Sequence, residues 1–459
     1  MFTSVILAAG MGTRMKSEMP KVIHKVCGKE LVRWVMDASR EAGADEIAVI
    51  IGHKADMVRP VIGDDAKIAI QAEQLGTGHA VMQAIDYIRD AKGCVVVLNG
   101  DTPLITAQTI KKAVAYHEEQ GNSATVITAR LDDATGYGRI VRGENGDVLR
   151  IVEQKDASEE EKKINEINSG MYVFDSEALA GALEKLTPNN AQGEYYLTDT
   201  LEILRAEGKK TGGYTIEDND EIRGINNRIQ LSEAEAIMQK RINEEHMTNG
   251  VTIINPSSVF IGSDVEIGRD TIIASNVTLI GNTKIGSGCT VEMGCRIENS
   301  EIGDNVSVLN SVILSSKIGE GTSVGPFAYV RPGCEVGKHV KVGDFVEIKN
   351  VTIKDGTKIS HLTYLGDTDI GSNVNFGCGT VTCNYDGKDK FRSTIGDNVF
   401  VGCNTNLVSP VKVSDGAYIA AGSTITDDIP EGTLAIARAR QVNKDKWNGN
   451  KYFKVTKKK

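Results

Sequence analysis

Between residues 259 and 425 one aliphatic side chain returns every sixth position. The series starts at Ile261, Ile267, Ile273 and Leu279, takes short steps at Ile302, Ile313 and Ile318, and then runs evenly from Val324 to Ile348. A period of six suits neither a helix, at 3.6, nor a strand, at 2; it is the signature of a parallel β-helix built from hexapeptides. Each hexapeptide supplies one short strand and one corner, with the aliphatic side chain inward. Glycines such as Gly262, Gly268, Gly286, Gly303 and Gly319 fall at turns where a Cβ would be costly. The stretch 261–425 therefore predicts about nine coils stacked ~4.8 Å apart. A β-sandwich would instead alternate every two residues and turn through hairpins.

The first half has a different rhythm. Strand-like runs at 5–9, 47–51, 68–71 and 95–98 alternate with amphipathic helical runs at 31–42, 79–88 and 109–117. That order predicts an α/β sheet, mostly parallel, with ligands bound beyond the carboxyl ends of its strands. Between the halves, Ser232 followed by Glu235 reads as a capping box with Leu231 as staple, which predicts one helix over 229–247.

The loops after the strands carry the candidate chemistry. The first is Leu7-Ala8-Ala9-Gly10-Met11-Gly12-Thr13-Arg14, with Lys21 nearby. Its glycines let backbone N–H groups approach a phosphate, and Arg14 and Lys21 supply cations for one polyphosphate. It matches neither a dinucleotide fingerprint nor a Walker loop, and two glycines alone equally suit a tight turn. Gln71 and Gln74 present amides suited to a base edge, and Gly76-Thr77 opens a helix, although the same pattern serves a plain helix start. Asn99-Gly100-Asp101 ends a strand on a carboxylate, which suits Mg²⁺ held against phosphates or a turn cap.

In the second half the period fails over residues 377–388, which predicts a loop leaving the prism; the insertion extends over 377–394. Just before it, His361 is the one histidine of residues 340–459. An imidazole at a coil edge suits a general base near neutral pH, or an ordinary corner histidine. Cys378, Cys383 and Cys403 are alternative acyl-carrying nucleophiles, but none has a histidine beside it in sequence.

The net charge of −10 argues against a nucleic-acid partner, since duplex affinity comes from neutralised phosphates. Eight cysteines without a C-x-x-C pair suggest neither a zinc site nor a disulfide framework. With no signal-like or membrane-spanning run in the sequence, the expectation is a cytoplasmic protein with no membrane partner.

The motifs L-A-A-G-x-G-T-R-M, P-K, Q-x-x-Q-L-G-T-G-H-A, N-G-D and G-Y-G-R-I resemble the sugar-nucleotide pyrophosphorylases. With residues 190–196 and 224–228 and the hexapeptides behind them, the whole chain resembles one family among these. That family unites N-acetylglucosamine-1-phosphate uridylyltransferase and glucosamine-1-phosphate N-acetyltransferase activities. The resemblance implies a Rossmann-like mixed sheet over 1–228, a linker helix over 229–250 and a left-handed parallel β-helix over 251–459.

It also implies roles. Leu7, Ala8, Ala9 and Gly10 would contact the nucleotide, Arg14 and Lys21 its phosphates, and Gln71, Gly76 and Thr77 the uracil of UTP. Gly138, Glu153 and Asn168 would hold the N-acetylglucosamine moiety, with Asp101 and Asn226 on Mg²⁺. His361 would be the base that frees the amine of glucosamine 1-phosphate to attack acetyl-CoA. Arg331 and Lys349 would grip the sugar phosphate, and Tyr364 and Asn375 would orient the sugar. Asn384, Tyr385, Ala421 and Arg438 would bind acetyl-CoA. Cys403 stands where some relatives carry serine, and the basic tail, residues 444–459, either closes over CoA or is a solvated end. The implied product serves cell-wall precursor synthesis, and the implied assembly is a homotrimer through the β-helices. Two alternatives stay open: a pyrophosphorylase whose β-helix is only structural, and a nucleotide-binding scaffold without turnover.

Overall fold

The computed structural model describes residues 1–190 and 192–445. The expectation for the basic tail falls almost wholly outside them. The chain forms two compact units, 1–242 and 243–459.

The first unit is built on a mixed sheet. Its strands lie in the order Thr211–Thr215, Ala124–Arg130, Glu166–Asp175, Cys94–Asn99, Phe2–Ala8, Glu46–Ile51 and Lys67–Ile70. Glu166–Asp175 runs antiparallel to both of its neighbours, and the other pairs along this path are parallel. Central strands such as Glu46–Ile51 and Cys94–Asn99 read as unbroken apolar runs because both faces are covered. One core gathers Ile6, Val35, Val96 and Ile110, and the other gathers Val5, Val95, Val97 and Leu179. The predicted helix over 79–88 is two short helices, Thr77–Met82 and Ile85–Asp90.

The helix between the halves is Arg228–Thr248. It starts earlier than the Ser232 capping box predicts. Asn227 takes the capping role, accepting from the Gln230 N–H at 2.9 Å. Glu235 is drawn away to accept the Cys27 N–H at 2.9 Å, so it cannot close the box.

The second unit is a left-handed parallel β-helix, its two- and three-residue strands stacked in parallel ladders. The aliphatic series is its core: Ile261, Leu279, Val330, Ile348, Val401 and Leu407 are all fully buried. Ile267, near the first coil, is partly exposed. The glycines matter here through close approach more than through turning. A Cβ on Gly268 would stand 2.6 Å from Gly286, and one on Gly319 2.5 Å from Gly337, so the column excludes any side chain.

The predicted interruption at 377–394 is smaller than the sequence suggests. Val381–Cys383 is a strand paired with Asn406–Val408, and Thr382 fills the inward slot, 1% exposed. A hydroxyl is tolerated there because it accepts from the Gly366 N–H at 2.7 Å. The loop that leaves the coil therefore begins at Asn384. It is pinched by a Tyr385–Lys390 bridge and rejoins the coil at Ser393–Ile395.

Candidate functional site

In the first unit the loops at the strand ends enclose contiguous hollows. One cavity, of about 320 Å³, is lined by Leu7, Ala8, Ala9, Gly10, Lys21, Gln71, Gly76, Thr77 and Asp101. A second, of about 550 Å³, shares Leu7, Thr77 and Asn99 with it and reaches Glu153 and Asn168. A third, of about 460 Å³, joins Asp101 to Arg14 and Asn226. Gly138 packs beside two residues of the second hollow, since a Cβ there would lie 3.2 Å from the Glu153 carboxylate and 3.6 Å from Asn168. The candidate residues of this half, scattered from 7 to 226, thus converge.

Local structure explains the convergence. Gly12 adopts a left-handed conformation, φ 61°, and packs directly on Lys21, where a Cβ would meet the Lys21 Cβ at 2.7 Å. Gly76, φ 109°, lies under the backbone of Tyr195, and a Cβ would stand 2.5 Å from its carbonyl. The Tyr195 N–H donates to the Leu75 carbonyl and the Gly78 N–H to the Tyr195 carbonyl, both at 2.8 Å. The segment around Tyr195 therefore clamps the Gly76 turn. Gln71, 4% exposed, donates to the Gly76 carbonyl at 3.1 Å, which leaves its side-chain oxygen for a ligand. Asn168 sits at a bulge in Glu166–Asp175. It donates to the Tyr172 hydroxyl and accepts the Gly170 N–H, each at 2.9 Å.

Asp101 and Asn226 meet because the Ile225 N–H donates to the Asp101 carbonyl at 2.9 Å. Lys21 Nζ then donates to the Asp101 carboxylate and, at 3.0 Å, to Asn226 Oδ1, which also accepts from Arg14 at 2.9 Å. A carboxylate and an amide oxygen turned toward one cation fit Mg²⁺, which takes hard oxygen donors and leaves most positions to water and phosphate. Among the described residues no group of three or more His, Cys, Asp or Glu could hold a metal, so this sparse pair is the candidate.

In the β-helix, Tyr364 and Lys349 lie on adjacent coils of one face, where Lys349 pairs in register with Gly366. Gly366 is small of necessity: a Cβ would stand 2.4 Å from the Tyr364 hydroxyl and 2.8 Å from the Asn384 amide. Asp367, nearly buried and in a left-handed conformation, accepts from Asn350 and Asn384 and lies 4.0 Å from Lys349 Nζ. Arg331 is held by Glu347 at 2.9 Å. The ammonium of Lys390, in the excursion, is the main cause that holds the Lys349 pKa below its ordinary range. Sequence reasoning missed Lys390; its signal is the run of cations, Lys388, Lys390 and Arg392, in the excursion that follows Cys383.

His361 ends the strand Lys358–His361, and its side chain is 55% exposed. Asn375 does not join Lys349 and Tyr364. It lies on the face that carries Lys358, in register with Lys358 and Phe400. Ala421 lies against Gly402, and Arg438 against Gly422, which stands three coils beyond the His361 corner. Tyr385 is exposed at the start of the excursion, its hydroxyl donating to the Gly387 carbonyl. Cys383 and Cys403 are exposed and Cys378 partly so.

Contiguous hollows lined by glycines, cations and a carboxylate at the strand ends of an α/β sheet, followed by a β-helix with a histidine at a coil corner, define a two-domain transferase. The comparisons agree. The nucleotidyl transferase family pattern matches residues 3–221, and the bacterial transferase hexapeptide pattern matches 315–350 and 392–427. The bifunctional protein GlmU of Acetivibrio thermocellus is 57% identical over 97% of this chain and 96% of its own length. The proteins of that name from Caldanaerobacter subterraneus subsp. tengcongensis and Clostridioides difficile are 56% and 55% identical, over 97% of both chains. The chain belongs to the bifunctional GlmU family, and it is an enzyme with a nucleotidyltransferase and an acyltransferase unit. No helix among the described residues is long and apolar enough to cross a membrane.

Proposed function

We propose that the chain makes UDP-N-acetylglucosamine in two steps. The β-helix unit acetylates glucosamine 1-phosphate with acetyl-CoA. The α/β unit then transfers UMP from UTP to the N-acetylglucosamine 1-phosphate, releasing pyrophosphate. The observation that carries the second step is the convergence of Leu7–Gly10, Lys21, Gln71, Gly76 and Asp101 on one cavity that opens toward Glu153 and Asn168.

In the α/β unit the nucleotide lies along the first loop, its base against Gln71, Gly76 and Thr77. The sugar sits beside Gly138, Glu153 and Asn168. A sugar phosphate oxygen attacks the α-phosphorus in line, so the protein's work is positioning and charge neutralisation rather than covalent catalysis. Arg14 and Lys21 supply fixed positive charge. Asp101 and Asn226 would hold Mg²⁺, which adds further neutralisation of the phosphates.

In the β-helix unit Arg331 and Lys349 face the sugar phosphate, with Lys390 adding a third cation, and Tyr364 orients the ring. His361 takes a proton from the amine as nitrogen attacks the thioester carbon; the C–N bond forms, the C–S bond breaks and CoA leaves as thiolate. Asn384, Tyr385, Ala421 and Arg438 bind acetyl-CoA. A homotrimer through the β-helices is supported by exposed apolar side chains at the His361 corner: Phe327, Phe345 and Leu362 are each more than half exposed, and the two phenylalanines stack at 5.4 Å. In such an assembly Asn375 completes a neighbour's site, which accounts for its separation from Lys349. All eight cysteines are free, which suits the reducing cytoplasm.

The test is direct. The full chain given UTP and N-acetylglucosamine 1-phosphate releases pyrophosphate, and given acetyl-CoA and glucosamine 1-phosphate it releases free thiol. Pyrophosphate release without thiol release would leave the structural β-helix reading standing instead.

A further inference from the structure

His361 is not alone on its corner. The strand Lys341–Asp344 pairs in parallel with Lys358–His361, and the register sets Asp344 directly opposite His361, one coil earlier. The side chains follow: His361 Nδ1 lies 2.5 Å from Asp344 Oδ1. A carboxylate only accepts, so Nδ1 carries the hydrogen and Nε2 is left with its lone pair. The next coil places Cys378 above His361, two residues on from the paired Ile359 and Phe376. Lys341 on the strand of Asp344 and Lys358 on that of His361 are the charged neighbours along the ladder.

We infer that Asp344 is a positioning residue for acetyl transfer: it fixes His361 in the tautomer whose Nε2 receives the amine proton, and its charge stabilises the imidazolium that results. The fold supplies this pair at little cost in order. Both residues end a strand at the same corner, and each strand is held by its ladder, so only side-chain rotation remains to be fixed. The Asp344 carboxyl is held below the usual carboxylate range, chiefly by its bond to His361, which agrees with an ionised partner at neutral pH. The inference rests on the reading of His361 as the base.

The experiment compares Asp344→Asn, Asp344→Ala, Asp344→Glu and His361→Ala in the full chain. Both Asp344→Asn and Asp344→Ala are expected to lower the kcat of acetyl transfer about 10- to 100-fold, with KM for both substrates and the thermal midpoint near wild type. Asp344→Glu restores part of the rate. ¹⁵N spectra of the imidazole show Nδ1–H in the wild type and lose that preference in Asp344→Ala. An inactive His361→Ala alongside an Asp344→Asn with unchanged kcat would overturn the pairing alone. An active His361→Ala would overturn the reading of the base itself, and this inference with it.

Discussion

Lys21 Nζ donates to Asn226 Oδ1 at 3.0 Å and also to the carboxylate of Asp101, so a single cation bridges two oxygen acceptors far apart in sequence. Removing the carboxylate leaves Lys21 without its anionic partner and the proposed Mg²⁺ with one protein ligand. Asp101→Ala is expected to lower uridylyl transfer by about 10²- to 10³-fold, the usual loss for one electrostatic contact to a developing charge. Steady-state pyrophosphate release checks this.

Gly76 combines a left-handed backbone, φ 109°, with a Tyr195 carbonyl where its Cβ would go. Gly76→Ala is therefore strained twice, at a cost of about 1–3 kcal/mol. Because Tyr195 clamps the turn, the variant should also raise the KM for UTP. Thermal unfolding and UTP titration measure the two effects separately.

His117 is buried on Ala107–Gln120, with Nδ1 2.9 Å from the Thr125 hydroxyl, and burial lowers its pKa to about 4. Its unfolded value is about 6.5. Below pH 6.5 the unfolded state takes up the proton and the folded state does not, so stability falls as pH drops from about 6.5 toward 4. The difference corresponds to about 3 kcal/mol at the acid end of that window. His117→Gln should flatten this part of the stability–pH curve, as read by urea unfolding at stepped pH. An unchanged slope would show that other groups dominate it.

Cys378, Cys383 and Cys403 were candidates for a covalent acetyl carrier. His361 Nδ1 is engaged by Asp344, and the step proposed above needs no acyl-enzyme. Each cysteine replaced singly by alanine should keep acetyl transfer within about threefold of wild type, measured by thiol release. Loss of transfer in one folded variant would instead point to a ping-pong route.

The β-helix was legible because its constraint is periodic. Every coil must fill the same interior, so the inward series from Ile261 to Ile425 carries the fold on its surface spelling. Thr382 broke the spelling but not the structure, since its hydroxyl finds a backbone donor at Gly366. The first site was legible in part because glycines and cations cluster just after strands. Asn227 displaced Ser232 as the helix cap because tertiary contact claimed Glu235, which local sequence cannot reveal. Asp344 went unremarked although its signal is simple: it stands 17 residues before His361, the spacing of one coil with a short step. In a β-helix, the residue one coil earlier is the first place to look for a partner.

The central claim is that two independent sites share this chain, and reciprocal single substitutions test it most directly. In a coupled assay of both half-reactions, His361→Ala should lose acetylation and keep pyrophosphate release, while Asp101→Ala should do the reverse. If either folded variant loses both activities together, the account of two separate sites is contradicted.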